Sequence, residues 1–127
     1  MLERAFLVIA IVLLVVALRW YIMWRQHQHR GQQFTHADLP LGRPGIIALT
    51  TRHCMQCERL QKPALQRLQA QRHDVTVLWR NVADEPELVK QFGIMTVPST
   101  VVRGANGELR HINLGYTDEH TLLQQIA

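Results

Sequence analysis

The sequence predicts an α/β domain on a four-stranded mixed sheet, in the order β-α-β-α-β-β-α, behind one N-terminal transmembrane helix. Three observations predict it. Residues 5–24 carry one charged side chain; segments of strand length rich in branched residues at 46–50, 75–79 and 99–103 alternate with helical periodicity; and an Asn-Gly reversal follows the third segment. Two strands joined through a helix run parallel with a right-handed crossover, and two joined by a tight reversal run antiparallel, so the sheet is mixed.

Composition bounds the class. A chain of 127 residues with 47% hydrophobic and 19% charged residues is neither disordered nor collagen-like, and has room for one domain. The net charge is +4, but the Lys and Arg residues are scattered and form no stripe, which points away from nucleic acid. Cys54 and Cys57 are the two cysteines, a count that excludes a multi-bridge scaffold and a four-cysteine zinc site.

The first element is the apolar run 5–18, followed by Arg19 and the interfacial rings of Trp20, Tyr21 and Trp24. Residues 5–24 match the length of helix that crosses hydrocarbon at about 1.5 Å per residue, with Arg19 snorkelling at one end. A cleaved signal peptide with its site near Val15-Val16-Ala17 competes with this single-pass anchor, as does a buried core helix. The bulky aromatics after that site favour the anchor. Arg19, Arg25 and Arg30 outweigh Arg4 and the amino terminus, and the positive-inside rule therefore puts the domain in the cytoplasm. Residues 25–44 are polar, then rich in Pro and Gly, and read as a linker. Its His27, His29 and His36 lack ligand spacing and read as solvated side chains, not a metal site.

The domain spans 45–127. Residues 46–50 form a buried strand that runs into the cysteines, where a helix starts with Leu60, Ala64, Leu65 and Leu68 inward and Glu58, Arg59, Gln61, Arg67 and Gln71 outward. Residues 75–79 are the second strand. Asp84, Glu85, Pro86 and Glu87 mark the next helix, which buries Leu88, Val89 and Phe92 and stops at Gly93. Strands 99–103 and 108–114 flank the reversal at 104–107, and a last helix over 118–126 buries Leu122, Leu123 and Ile126.

Cys54 and Cys57 lie one helical turn apart, within reach of a disulfide. At the helix N-terminus, free amides and the macrodipole favour an anion, which lowers the thiol pKa of Cys54 from about 8.5 and makes it the expected nucleophile. Cys57, one turn inside, would resolve a mixed disulfide. Arg52, His53 and Arg59 add positive charge, His53 as the supporting residue. Two other readings stay open: half of a zinc site, and a structural disulfide.

Cys54-Met-Gln-Cys57, taken with the segment 92–100 (Phe-Gly-Ile-Met-Thr-Val-Pro-Ser-Thr), resembles the thioredoxin family over residues 45–127. The resemblance implies a minimal thioredoxin-like core without the family's usual first strand and helix. It also implies that Pro98 is cis and lies against the CxxC, and that Val97 offers its backbone to an extended substrate. Pro63 matches the family's helix-kinking proline, displaced by one residue. Thr50, Ala48 and Trp79 stand where the family has a tryptophan, a buried aspartate and its lysine partner, so acid–base assistance is not carried over.

The reading is a membrane-tethered thiol–disulfide oxidoreductase with Cys54 and Cys57 catalytic, Val97 and Pro98 substrate-binding, no cofactor or metal, and protein thiols or disulfides as partners. The alternative is a redox-inactive binding module of the same fold, or a protein handling a soft metal such as copper. Domains of this resemblance imply the extracytoplasmic side, against the flanking arginines, and that side is favoured.

Overall fold

A computed structural model describes residues 1–28 and 30–127. The first element, α1 (Leu2–Gln28), is one continuous helix, and its 24-residue span Leu2–Arg25 lies entirely outside the protein interior. At 1.5 Å per residue those residues extend about 36 Å, more than the ~30 Å of bilayer hydrocarbon. The helix is long and apolar enough to cross a membrane.

The remaining elements are β1 (Gly45–Thr50), a π-turn (Cys57–Gln61) leading into α2 (Lys62–Gln71), β2 (Thr76–Asn81), a 3-10 turn (Val82–Asp84), α3 (Pro86–Phe92), β3 (Ser99–Arg103), β4 (Leu109–Leu114) and α4 (Glu119–Ile126). The sheet runs β2-β1-β3-β4. Parallel pairing sets Ile46 of β1 against Val77 of β2, and antiparallel pairing sets Leu49 against Ser99 of β3. β4 closes the sheet antiparallel to β3, with a bulge between Val102 and Arg103. This is the mixed sheet that the order of apolar runs predicts.

Burial explains why β1 reads as an unbroken apolar run: it is covered on both faces. Ile46 and Ala48 pack with Leu65, Leu68, Leu122 and Ile126, the layer of α2 and α4. Ile47 and Leu49 pack with Leu88, Phe92 and Val101 on the side of α3. Gly93 ends α3 at φ +62°, a left-handed cap that a residue without Cβ adopts freely.

Residues 25–44 differ from the linker reading. Residues 25–28 continue α1, and from Gly31 the chain is already bonded to the domain. Gly31 N–H donates to the Leu109 carbonyl (3.0 Å), Leu109 N–H to that of Gln32 (2.7 Å), and Phe34 N–H to that of Gly107 (2.9 Å). Phe34 and Leu39 are buried, the Phe34 ring 5.5 Å from that of Phe92. Two apolar anchors in a polar stretch are enough to dock it. His36 is not solvated: its Nε2 lies 3.0 Å from Glu85 Oε1, and Arg80 Nη2 donates to Asp38 Oδ2 at 2.6 Å beside it. The Arg103 guanidinium, buried, donates to the carbonyls of Pro40 and Arg43 and clamps the end of the segment. His27 is exposed, and His29 lies outside the described residues.

The helix after the cysteines needs a second correction. Gln61, read as outward, is fully buried, and Leu60, read as inward, is 45% exposed. The inward stripe is 61, 64, 65 and 68, the i, i+3, i+4, i+7 series counted from Gln61, so Leu60 falls on its flank. The π-turn ends two residues before Pro63, which lacks an N–H and whose ring would crowd the Arg59 carbonyl in a regular helix. The wider turn, with Lys62 N–H bonded to the Cys57 carbonyl, accommodates it.

Candidate functional site

Between the end of β1 and the helix, the chain turns through Arg52 and His53. His53 has φ +60°, an uncommon conformation for a residue with a Cβ, and it redirects the strand into the helix. Cys54 then acts as the N-cap. Its carbonyl accepts from Glu58 N–H (3.3 Å), and its Sγ accepts from Cys57 N–H (3.1 Å) in the position a capping oxygen takes. Cys54 and Cys57 form a disulfide with their Cα atoms 5.3 Å apart. Cys54 is half-buried at the rim, whereas Cys57 is 1% exposed.

Two depressions meet beside this pair. One, of about 440 Å³, is lined by Thr51, His53, Cys54, Met55, Glu58 and Arg59. The other, of about 400 Å³, is lined by Val82, Val89, the run 94–97, and again Thr51. The Val97–Pro98 peptide bond is cis. Because Leu49 pairs with Ser99, Pro98 stands beside the end of β1 that leads to the cysteines. Ser99 Oγ donates to the Thr96 carbonyl at 2.6 Å and ties the loop down.

The structure thus gathers His53, Cys54 and Arg59 around one hollow and sets Val97 in the adjoining one, while Arg52 is exposed and lines neither. Sequence reasoning passed over Glu58 as a site residue. Its carboxylate lies 3.5 Å from Lys62 Nζ and sets a negative charge on the same wall as Arg59.

Ala48 and Trp79 are paired across β1 and β2 and pack in the layer of α2 and α4, so this position of the core holds an apolar pair. The polar anchor lies elsewhere. Gln61 Nε2 donates to the Thr117 carbonyl (3.0 Å) and its Oε1 accepts from Thr117 N–H (3.1 Å), which fixes the turn after Cys57 to the loop before α4. Among the described residues no cluster of three or more His, Cys, Asp or Glu has the geometry to hold a metal ion.

No family model matches the chain. Among curated proteins, a thioredoxin of Alicyclobacillus acidocaldarius subsp. acidocaldarius is 29% identical over 97 residues, covering 76% of this chain and 87% of that one. A mutant thioredoxin from Halobacterium salinarum superposes with a TM-score of 0.55 at 26% identity, over 67% of this chain and 73% of that one. The oxidised thioredoxin of Plasmodium falciparum gives 0.56 at 18% identity, over 68% and 84%. MTB dsbF, solved in mixed oxidised and reduced forms, gives 0.52 at 16%, over 68% and 80%.

Proposed function

We propose that this thioredoxin-family chain, a thiol–disulfide oxidoreductase by its fold and its Cys54–Cys57 pair, is tethered to a membrane through α1 and exchanges disulfides with protein partners. The carrying observation is the asymmetry of the two sulfurs. Cys54 sits at the rim and accepts the Cys57 amide, and Cys57 is sealed behind it.

In the reduced protein, an amide aimed at Cys54 Sγ from the helix N-terminus favours the thiolate over the thiol. That thiolate attacks one sulfur of a client disulfide, forming a Cys54–client bond and releasing the other client sulfur as a thiolate. Cys57, deprotonated in turn, attacks Cys54 Sγ. The mixed bond breaks, the second client sulfur leaves with the electron pair, and the protein ends as the disulfide found here. The client is reduced by two electrons and the protein oxidised by two; run backwards, the same steps oxidise a client dithiol.

Val97 and Pro98 are assigned to the client chain, which would lie extended along the hollow lined by Thr51 and Val97, its cystine at Cys54. His53 is assigned a supporting role through its charge when protonated. The test compares disulfide reduction by the full chain and by Cys54→Ser and Cys57→Ser. Loss of turnover in both, with a trapped client adduct in Cys57→Ser alone, is expected. Turnover in Cys54→Ser equal to that of the parent would remove the redox reading.

A further inference from the structure

The segment 95–97 lines the hollow beside the cysteines, and its first residue, Met95, also lines a second groove that the chemistry does not use. That groove, of about 250 Å³, lies between the end of α1 and the sheet. Tyr21, Ile22 and Arg25 form one wall, and Met95, Ile112 and Leu114 form the other. Met95 is 92% exposed, and Leu114 is exposed as well. Arg25 leans on the domain, since a Cβ built on Gly93 would lie 3.0 Å from its Nη2.

What covers this groove follows from α1. If residues 2–25 span the bilayer, a helix of about 36 Å crossing ~30 Å of hydrocarbon brings Tyr21, Ile22 and Arg25 to headgroup depth. The opposite wall must then be at the same depth. No long tether lets the domain stand off, because Gly31 is bonded to Leu109 three residues after α1 ends. Lipid acyl chains suit the apolar wall, and the Arg25 guanidinium suits a phosphate.

Resting on the tethered reading, we infer that this groove is a phospholipid-contact surface: interfacial lipid of the anchoring bilayer fills it, with acyl methylenes against Met95 and Leu114 and the phosphate at Arg25. The segment that lines the client hollow is thereby held at the membrane surface. The clients selected are proteins whose cystines lie close to the bilayer.

The four methionines, Met1, Met23, Met55 and Met95, provide the test. The full oxidised chain is placed in phosphatidylcholine nanodiscs, and its isotope-labelled methionine methyl signals are recorded with and without phosphatidylcholine carrying a nitroxide high on the acyl chain. Met→Leu variants assign the peaks. The expected result is loss of the Met23 and Met95 signals with that of Met55, beside Cys54, retained. Loss of Met23 with Met95 retained overturns the lipid surface and leaves the tether standing. Retention of both removes the tether and this inference with it. Equal loss at Met55 and Met95 overturns a contact confined to this face.

Discussion

Gln61 offers the sharpest test of how the site is held. Gln61→Met keeps roughly the volume of the side chain and deletes both bonds to Thr117, leaving an N–H and a carbonyl without their partner. A buried polar group stripped of its partner costs about 1–3 kcal/mol. Thr117 is half-buried, and water reaches it in part, so the lower end applies and the two together cost about 2 kcal/mol. For a domain of this size that lowers Tm by ~8–16 °C. Gln61→Ala adds a cavity under the π-turn and costs about 2 kcal/mol more. Thermal unfolding of the full chain in detergent micelles, followed by near-ultraviolet circular dichroism, reads both shifts. A Gln61→Met transition within about 2 °C of the parent would refute the claim that this pair ties the cysteine turn to the α4 loop.

Other consequences are equally concrete. Leu68, fully buried between α2 and the sheet, contributes about 2–5 kcal/mol, so Leu68→Ala should leave the domain marginal in the same unfolding experiment. Burial, and then the Arg30 guanidinium that donates to Nδ1 at 3.1 Å, hold His111 below the ordinary histidine pKa. The unfolded chain therefore binds that proton at higher pH than the folded chain. Stability is complete above about pH 6.5 and is lost as pH falls from there through the folded value, and His111→Gln should flatten that slope in acid titrations of Tm. For topology, an extracytoplasmic domain predicts that a phosphatase reporter active only outside the cytoplasm works when fused after Ala127; a silent fusion that is nonetheless expressed would return the domain to the side favoured by Arg19, Arg25 and Arg30.

The sheet was legible because β1 carries the apolar run 46–49, β3 is built on branched residues around Val101 and Val102, and the hairpin after β3 carries a turn signal from Gly104 to Gly107. The paired cysteines were legible from spacing alone, and the bent loop at Pro98 through its likeness to a known segment. Three things were hidden, each for a physical reason. Gln61 is polar, and its burial depends on main-chain partners 56 residues away that no local pattern reveals. Phe34 and Leu39 are isolated apolar residues in a polar stretch, and docking depends on the pocket that receives them. The groove at Arg25 exists because α1 continues past its apolar run and meets the sheet, a junction set by tertiary geometry.

The central claim is that Cys54 is the acidic, reachable sulfur because the helix end and the Cys57 amide stabilise its anion. Alkylation of the reduced full chain by iodoacetamide as a function of pH, with mass spectrometry locating the adduct, measures this directly. The account predicts that Cys54 is modified first, with an apparent pKa clearly below the ~8.5 of a free thiol. First modification at Cys57, or a Cys54 profile centred at or above that value, would contradict it.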